Sequence, residues 1–102
     1  MFEEIHPGEI LHEDFMKPLG ISAVRLASCI GLSAASIRRL MRGNRRLTAE
    51  TALRLGLFFS MEPRFWTNLQ ADYDLRTAAR KSLKNLRFRV KPLAPEARPG
   101  RT

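Results

Sequence analysis

Residues 21–43, ISAVRLASCIGLSAASIRRLMRG, decide how this chain folds. The stretch divides into two short amphipathic segments. Each begins at a serine whose hydroxyl can cap a helix, Ser22 in the first segment and Ser33 in the second. Gly31 lies between them, where the end of a helix often needs a residue in the left-handed conformation. The sequence therefore predicts a helix, a tight turn and a second helix.

Helical spacing places the apolar side chains of both segments on one side. Leu26, Ala27 and Ile30 share a face of the first helix, and Ile37 and Leu40 share a face of the second. The outward residues of the second helix are small and then basic, as in the DNA-reading helix of a helix-turn-helix domain. Small helical bundles that do not bind DNA also contain helix pairs separated by glycine. The charge of the segment is therefore needed to distinguish a DNA-binding pair from a purely structural one.

Net charge is unevenly distributed along the chain. Residues 21–46 contain six basic residues and no acidic one, whereas residues 1–20 carry a net charge of −4, residues 47–79 carry −1 and residues 80–102 carry +7. A solvated helix face usually mixes both signs, so a segment with positive charge alone favours a polyanionic partner. The formal net charge of +8 at pH 7 indicates nucleic acid more than a membrane surface, because no apolar face is left free for lipid.

The length of 102 residues bounds the function. It is enough for one domain of four or five helices and leaves no room for a separate catalytic domain. No apolar run approaches the ~20 residues that span a bilayer, and the acidic start MFEEIHPGE lacks the features of a signal peptide. We therefore expect a cytoplasmic protein. Its single cysteine, Cys29, excludes an intramolecular disulfide and is predicted to be a small core side chain.

A first helix is predicted to follow Pro7 and to stop at Pro18 and Gly20, before the helix pair. Its apolar face holds Leu11 and Phe15, together with Ile10, and its acidic residues lie on the opposite face. The predicted fold is thus all-α, a five-helix lambda-repressor-like helix-turn-helix domain. Its last two helices follow the pair.

A fourth helix is predicted over residues 49–59. Thr48 can cap it, and Ala52, Leu53 and Leu57 are expected to make it largely buried. Met61 and Glu62 turn the chain into the fifth helix.

The fifth helix is predicted to begin at Pro63, a residue suited to a first helical position. Beyond Tyr73, apolar residues recur at intervals of four, four and three, a pattern that continues this helix or starts another. A domain this small has little left to cover such a stripe, so we expect a second copy to cover it. The predicted dimer interface comprises Trp66, Leu69, Tyr73, Leu75, Ala79 and Leu83.

Residues 80–102 form a basic C-terminal extension to the helix-turn-helix domain of residues 1–79. Leu86 continues the helical spacing of the apolar residues before it, whereas Leu86, Phe88 and Val90 also alternate with basic residues as in a strand. The extension is therefore predicted to be either helical or a short strand. The segment after Lys91 is rich in proline and is predicted to be disordered. Three roles stay open for this extension: it lies along DNA, it helps to form a dimer or a strand with a partner, or it is merely solvated.

One cluster of His6, Glu9, His12 and Glu13 resembles a metal or catalytic site. A zinc-peptidase motif needs a second histidine four residues after His12, where Met16 stands instead. The sequence has no glycine-rich phosphate loop and no nucleophile paired with a credible histidine base. We therefore expect no metal, no cofactor and no enzymatic activity.

Contacts to double-stranded DNA are predicted to divide between bases and phosphates. Ala34 and Ala35 are placed to meet thymine methyl groups, and Arg39 is placed to bond the O6 and N7 atoms of guanine. Arg38 is predicted to contact DNA or, alternatively, an acid of the first helix. The predicted base-contacting residues are Ser33, Ala34, Ala35, Ser36, Arg38 and Arg39. The predicted phosphate-contacting residues are Ser22, Ala23, Arg42, Asn44, Arg45 and Arg46.

Four segments carry a family resemblance: HPGEILHEDFMKPLG (6–20), RLASCIGLSAASI (25–37), RGNRRLTAETALRLGLFF (42–59) and EPRFWTNLQADYDL (62–75). In these segments the chain resembles the HigA family of antitoxins, a branch of the xenobiotic-response-element-type helix-turn-helix regulators. The resemblance implies an all-α five-helix fold, homodimerisation and repression of a two-gene operon. It also implies a tight complex with a HigB-type toxin, a ribosome-dependent nuclease that cleaves mRNA.

Charge gives a hypothesis for where such a toxin binds. A basic extension is a poor complement to a basic nuclease, so we expect the toxin on the acidic first helix, around Glu3, Glu4, Glu9, Glu13 and Asp14. The nearest rival function is a stand-alone repressor of the same fold without a toxin. An RNA-binding adaptor is disfavoured, because the few aromatic residues fall on inward faces and are not free to stack on bases.

Overall fold

The computed structural model describes residues 4–94, and this part of the chain contains helices and no strand. The first helix, α1, consists of an α-helical turn Pro7–Ile10, a π-helical segment Leu11–Met16 and a last turn Lys17–Leu19. The other four are α2 (Ala23–Ile30), α3 (Ala34–Met41), α4 (Ala49–Phe59) and α5 (Pro63–Arg89). The prediction of an all-α, five-helix fold is confirmed.

Hydroxyl caps begin three of the helices, as the sequence predicts. Ser22, Ser33 and Thr48 each accept a hydrogen bond from the backbone amide three residues later, at 3.1, 3.0 and 3.2 Å respectively. Gly31 ends α2 with a φ of 78°, in the left-handed region that favours glycine. The residues next to each boundary of the helix pair therefore determine where these helices begin and end.

The start of α1 was not fully predicted, because His6 supplies its cap. The Nδ1 atom of His6 accepts from the Gly8 amide at 2.9 Å, and the His6 amide donates to Glu9 Oε1 at 2.9 Å. A Cβ atom on Gly8 would lie 1.6 Å from the carbonyl oxygen of Leu40. Glycine at this position therefore lets the first turn of α1 cross the end of α3 in close contact. At its other end, α1 runs through Pro18, and Gly20 terminates it.

One core joins all five helices. The predicted inward faces of α2 and α3 are confirmed, and Trp66 fills the centre with no exposed surface. The edge of the core is aromatic: Phe15 lies against the rings of Phe59, Phe65 and Trp66, with centroids 5.1, 5.8 and 4.9 Å away. The buried apolar residues are Leu11, Met16, Leu26, Ala27, Ile30, Ile37, Leu40, Leu47, Ala52, Leu55 and Trp66.

Three predictions of burial are wrong. On α4 the buried apolar side chains are those of Ala52 and Leu55, whereas Leu53 and Leu57 are 55% and 84% exposed. This helix is apolar on almost every side, so periodicity alone could not establish which side faces the core. Cys29 is exposed as well, at a surface cavity that it lines together with Arg54, Leu57 and Phe58 of α4.

The fifth helix is continuous through Arg89, so the helical alternative for the C-terminal extension is confirmed there and the short strand is wrong. α5 continues to Arg89, and the amide of Val90 still donates to the carbonyl of Leu86 at 2.8 Å. Leu86 extends the helical spacing of the preceding residues, and a strand would have needed a partner. The boundary that we expect after residue 79, between the helix-turn-helix domain and the C-terminal extension, falls inside this helix. The prediction of disorder after Lys91 concerns mostly residues 95–102, which lie outside the described part of the chain.

The burial of Trp66 also corrects the predicted dimer interface. With none of its surface exposed, this residue is part of the core and offers nothing to a second copy.

Across the described residues, none of the helices is long and apolar enough to span a membrane.

Candidate nucleic-acid interface

The predicted reading helix, α3, presents its polar face to solvent. Ser33, Ala35, Arg38 and Arg39 are exposed, and Ala34 and Ser36 are half-buried. The opposite face of the helix is anchored in the core by Ile37 and Leu40. The structure thus places all six predicted base-contacting residues on one accessible surface, and Arg38 makes no ion pair with a described acidic residue.

A short chain of hydrogen bonds orients Arg39. The hydroxyl of Ser33 donates to the hydroxyl of Ser36 at 2.9 Å, and one Nη atom of Arg39 donates to the same Ser36 hydroxyl at 3.4 Å. The guanidinium is therefore held toward the N-terminal turn of α3, the part of such a helix that enters a major groove. The two serine hydroxyls are engaged within the helix itself, whereas the exposed guanidinium groups of Arg38 and Arg39 keep donors that face solvent.

The end of α3 and the loop after it hold four of the six residues that are predicted to contact phosphates: Arg42, Asn44, Arg45 and Arg46. Gly43 has a φ of 77°, and its amide and that of Asn44 bond back to the carbonyls of Leu40 and Arg39 at 3.0 and 2.8 Å. This turn closes α3 and leaves Arg42 and Asn44 exposed, with Arg45 half-buried beside them.

Arg46 is engaged by α5. Its guanidinium donates to Asp74 at 2.9 Å. Asp74 also accepts from the Nε2 atom of Gln70 at 2.9 Å, and the Oε1 atom of Gln70 accepts from the Leu47 amide at 2.8 Å. Gln70 is only 4% exposed. Two side chains one turn apart on α5 therefore fix the end of the loop, and Arg46 helps to hold the loop in place.

The sequence analysis missed both Gln70 and Asp74. Their signal is their position: they follow Trp66 at intervals of four, so two polar residues continue a face that begins in the core. A buried polar side chain on such a face needs partners, and a backbone amide of a nearby loop is a common one.

Burial and hydrogen bonding shift two pKa values in this region. Burial lowers the pKa of His6, although the nearby carboxylates of Glu9 and Asp74 oppose the shift. For Asp74, burial would raise the pKa, but the hydrogen bonds from Gln70 and Arg46 outweigh it and lower the pKa below its ordinary value. Both shifts favour a neutral His6 and a charged Asp74 beside the loop.

The start of α2 lies at the other edge of this surface. Ser22 is exposed and caps the helix, and Ala23 is half-buried. The first amides of a helix have no partner within it, so they can donate to an anion. Together, the start of α2, the face of α3 and the loop after it form the three parts of a surface suited to a DNA backbone and groove.

The histidine and glutamate residues of α1 have structural roles. His6 and Glu9 cap the helix, and the Nδ1 atom of His12 lies 3.3 Å from Glu13. Within residues 4–94, no three potential metal-binding side chains come together.

Comparison with known proteins identifies the family. No protein-family model matches the chain. The "Virulence-associated protein I" of Dichelobacter nodosus is 42% identical over 95 residues, which cover 92% of this chain and 85% of that protein. Antitoxin HigA-1 of Vibrio cholerae is 34% identical over 86 residues, which cover 84% of this chain and 80% of that protein. The chain belongs to the HigA family.

A solved structure extends this result to three dimensions. The HigA-family fold seen here matches that of the Pseudomonas aeruginosa antitoxin HigA with the higBA promoter at a TM-score of 0.87 and 37% sequence identity. The match covers 90% of this chain and all of that one. The resemblance of the sequence to HigA-family helix-turn-helix antitoxins is therefore confirmed.

Proposed function

We propose that this HigA-family protein is a DNA-binding antitoxin without catalytic activity of its own. As a dimer it represses its own operon, and it holds a HigB-type toxin inactive by direct binding. The observation that carries the proposal is the basic, solvent-facing surface of α3 and its following loop on a fold shared with a HigA structure that contains promoter DNA.

Base recognition is assigned mainly to Arg39. Its guanidinium carries two parallel donors, which match the paired acceptors of guanine in the major groove. Ala35, exposed near the start of α3, offers a methyl group to thymine. Arg38 lies beside them without an acidic partner in the described chain and is free to contact either a base or a phosphate.

Phosphate binding is assigned to the two edges of the surface. Arg42, Asn44 and Arg45 extend from the loop, and the amides of α2 from Ala23 onward meet the backbone on the other side of the groove. Arg46 contributes less than the sequence suggests, because its bond to Asp74 must be exchanged before it can neutralise a phosphate.

The apolar stripe of α5 is assigned to the dimer. Leu75 is 72% exposed, and Leu83 is exposed on the same face about two turns further along the helix. Leu69, Tyr73 and Ala79 are half-buried beside them. These exposed leucines recur at helical spacing, and the other described helices leave them uncovered, which favours a second copy as their cover. A two-fold dimer presents two reading helices to two half-sites.

Toxin binding is assigned to the outer face of α1. Glu9, Glu13 and Asp14 are exposed there, although Glu13 forms an ion pair with Lys17 at 3.1 Å. Glu4 is less suited, because it is mostly buried and paired with Arg80 at 2.7 Å. Glu3 lies outside the described residues.

The DNA-binding part of this proposal is tested by fluorescence anisotropy. The labelled duplex is the segment upstream of the protein's own gene, and a scrambled duplex of equal length is the competitor. Arg39→Ala should reduce the preference for the upstream segment by about 1–3 kcal/mol, the usual worth of a bidentate base contact. Arg45→Ala is the matched control and should weaken both duplexes alike. Equal weakening of both duplexes by Arg39→Ala would contradict its role in base recognition.

A further inference from the structure

The second half of α5 extends away from the rest of the described chain. Every residue from 80 to 94 is exposed, and the only ion pair recorded for it within the described residues joins Arg80 to Glu4. From Asp74 to Arg89 the helix rises ~22 Å at 1.5 Å per residue. Such a long helical arm gains nothing from the core, so a partner outside this chain has to account for it.

Charge on this arm has one sign. Residues 75–94 contain seven basic residues and no acidic one. Four of them recur at intervals of four, four and three and so form one stripe along the helix. Each follows directly after a member of the apolar stripe, so the two stripes run side by side. The apolar stripe is Leu75, Ala79, Leu83 and Leu86, and the basic stripe is Arg76, Arg80, Lys84 and Arg87.

Pairing of two copies through the apolar stripe would place the basic stripe of each copy beside the interface. No acidic side chain of this arm compensates them. Like charges held within a Debye length, ~8–10 Å at physiological salt, repel one another. A polyanion along the pair would remove this repulsion, so charge complementarity points to a nucleic-acid backbone.

The arm begins at the DNA-facing surface. Asp74, at its base, is bonded to Arg46 at 2.9 Å, and Gln70, one turn earlier, is bonded to the Leu47 amide at 2.8 Å. A duplex that lies on the loop is therefore close to the base of the arm. Phosphates further along the same duplex are the nearest polyanion within its reach.

We propose that the exposed half of α5 is a second DNA-binding surface, which contacts the phosphate backbone of the duplex through Lys84 and Arg87 without reading its sequence. The proposal rests on the DNA binding through α3 proposed above. It also assigns a second role to the helix that forms the dimer: bound DNA strengthens the pairing of the two copies by neutralising the charge beside it.

The test is the salt dependence of DNA binding by the double variant Lys84→Gln/Arg87→Gln. Each lost phosphate contact makes the slope of log K against log salt shallower by about 0.9. Because two contacts are removed from each protomer, we expect the variant to lose about two units of slope per protomer, on the upstream duplex and on the scrambled duplex alike. Both residues are exposed, so far-UV circular dichroism should be unchanged.

Arg64→Gln is the matched control, because Arg64 is an exposed arginine on the first turn of the same helix. It should leave the slope as in the unmodified protein. A double variant that behaves like this control would overturn the proposal. So would a loss of binding to single-stranded RNA with no loss on duplex DNA. Failure here is distinguishable from failure of DNA binding through α3, because the Arg39→Ala comparison reports on that surface separately.

Discussion

At the residue scale, His6 links protonation to stability. Its Nδ1 atom accepts the Gly8 amide, so protonation there would remove the cap of α1. Its ring also meets the edge of Tyr73, with centroids 4.8 Å apart. Burial lowers the pKa of His6 against the opposing charges of Glu9 and Asp74. The unfolded chain therefore binds a proton at His6 more readily than the folded chain does.

This difference predicts that the protein loses stability as the pH falls from 7 to 5. Stability is fully present above the unfolded pKa of about 6.5 and decreases as the pH drops toward the lower folded value. Urea unfolding at pH 7 and pH 5 measures the change. The variant His6→Asn keeps a residue able to cap a helix and should show a smaller decrease. A decrease of the same size in both proteins would contradict the role of His6.

Individual residues also show where sequence reasoning works. The caps Ser22, Ser33 and Thr48 could be predicted because each acts on an amide three residues away. The orientation of Leu57 could not be predicted, since its helix is apolar on several sides and only the position of its neighbours decides which side is covered.

At the element scale, Gln70 connects the loop after α3 to α5. It accepts the Leu47 amide and donates to Asp74. The variant Gln70→Ala leaves that buried amide without a partner, which costs about 1–3 kcal/mol of folding free energy. It should also weaken binding to both duplexes, because the loop is no longer held. Thermal unfolding and anisotropy measure the two effects.

Asn68→Ala is the control for Gln70, because Asn68 is an exposed amide two positions away on the same helix. It should change neither stability nor binding. If Gln70→Ala lowered stability but left binding intact, the loop would not depend on this anchor.

The elements differ in how far the sequence determines them. α2 and α3 are fully specified by caps, glycine and spacing. α5 is ambiguous at its end, because Leu86, Phe88 and Val90 fit a strand by alternation while Leu86 also fits a helix. Only the absence of a neighbouring strand within the described residues resolves this. The site follows the same rule: its α3 and loop residues could be predicted, but its α5 anchors depend on tertiary contact.

At the scale of the whole molecule, dimerisation should depend on Leu75. Leu75→Asp places a charge in the apolar stripe and should convert the dimer to a monomer in sedimentation equilibrium. Binding to the upstream duplex should weaken as well, because a monomer can occupy only one half-site at a time. Leu57→Asp is the control, since Leu57 is also exposed but lies on α4. A dimer that survives Leu75→Asp would exclude the stripe as its interface.

The antitoxin role is tested most directly by purifying the tagged protein from its native cells in ~0.5 M salt, which suppresses contacts bridged by nucleic acid. We expect one small basic protein in near-equal amount, which blocks translation once it is separated from the antitoxin. Recovery of the tagged protein alone, while the adjoining gene is expressed, would contradict the antitoxin role and leave a stand-alone repressor.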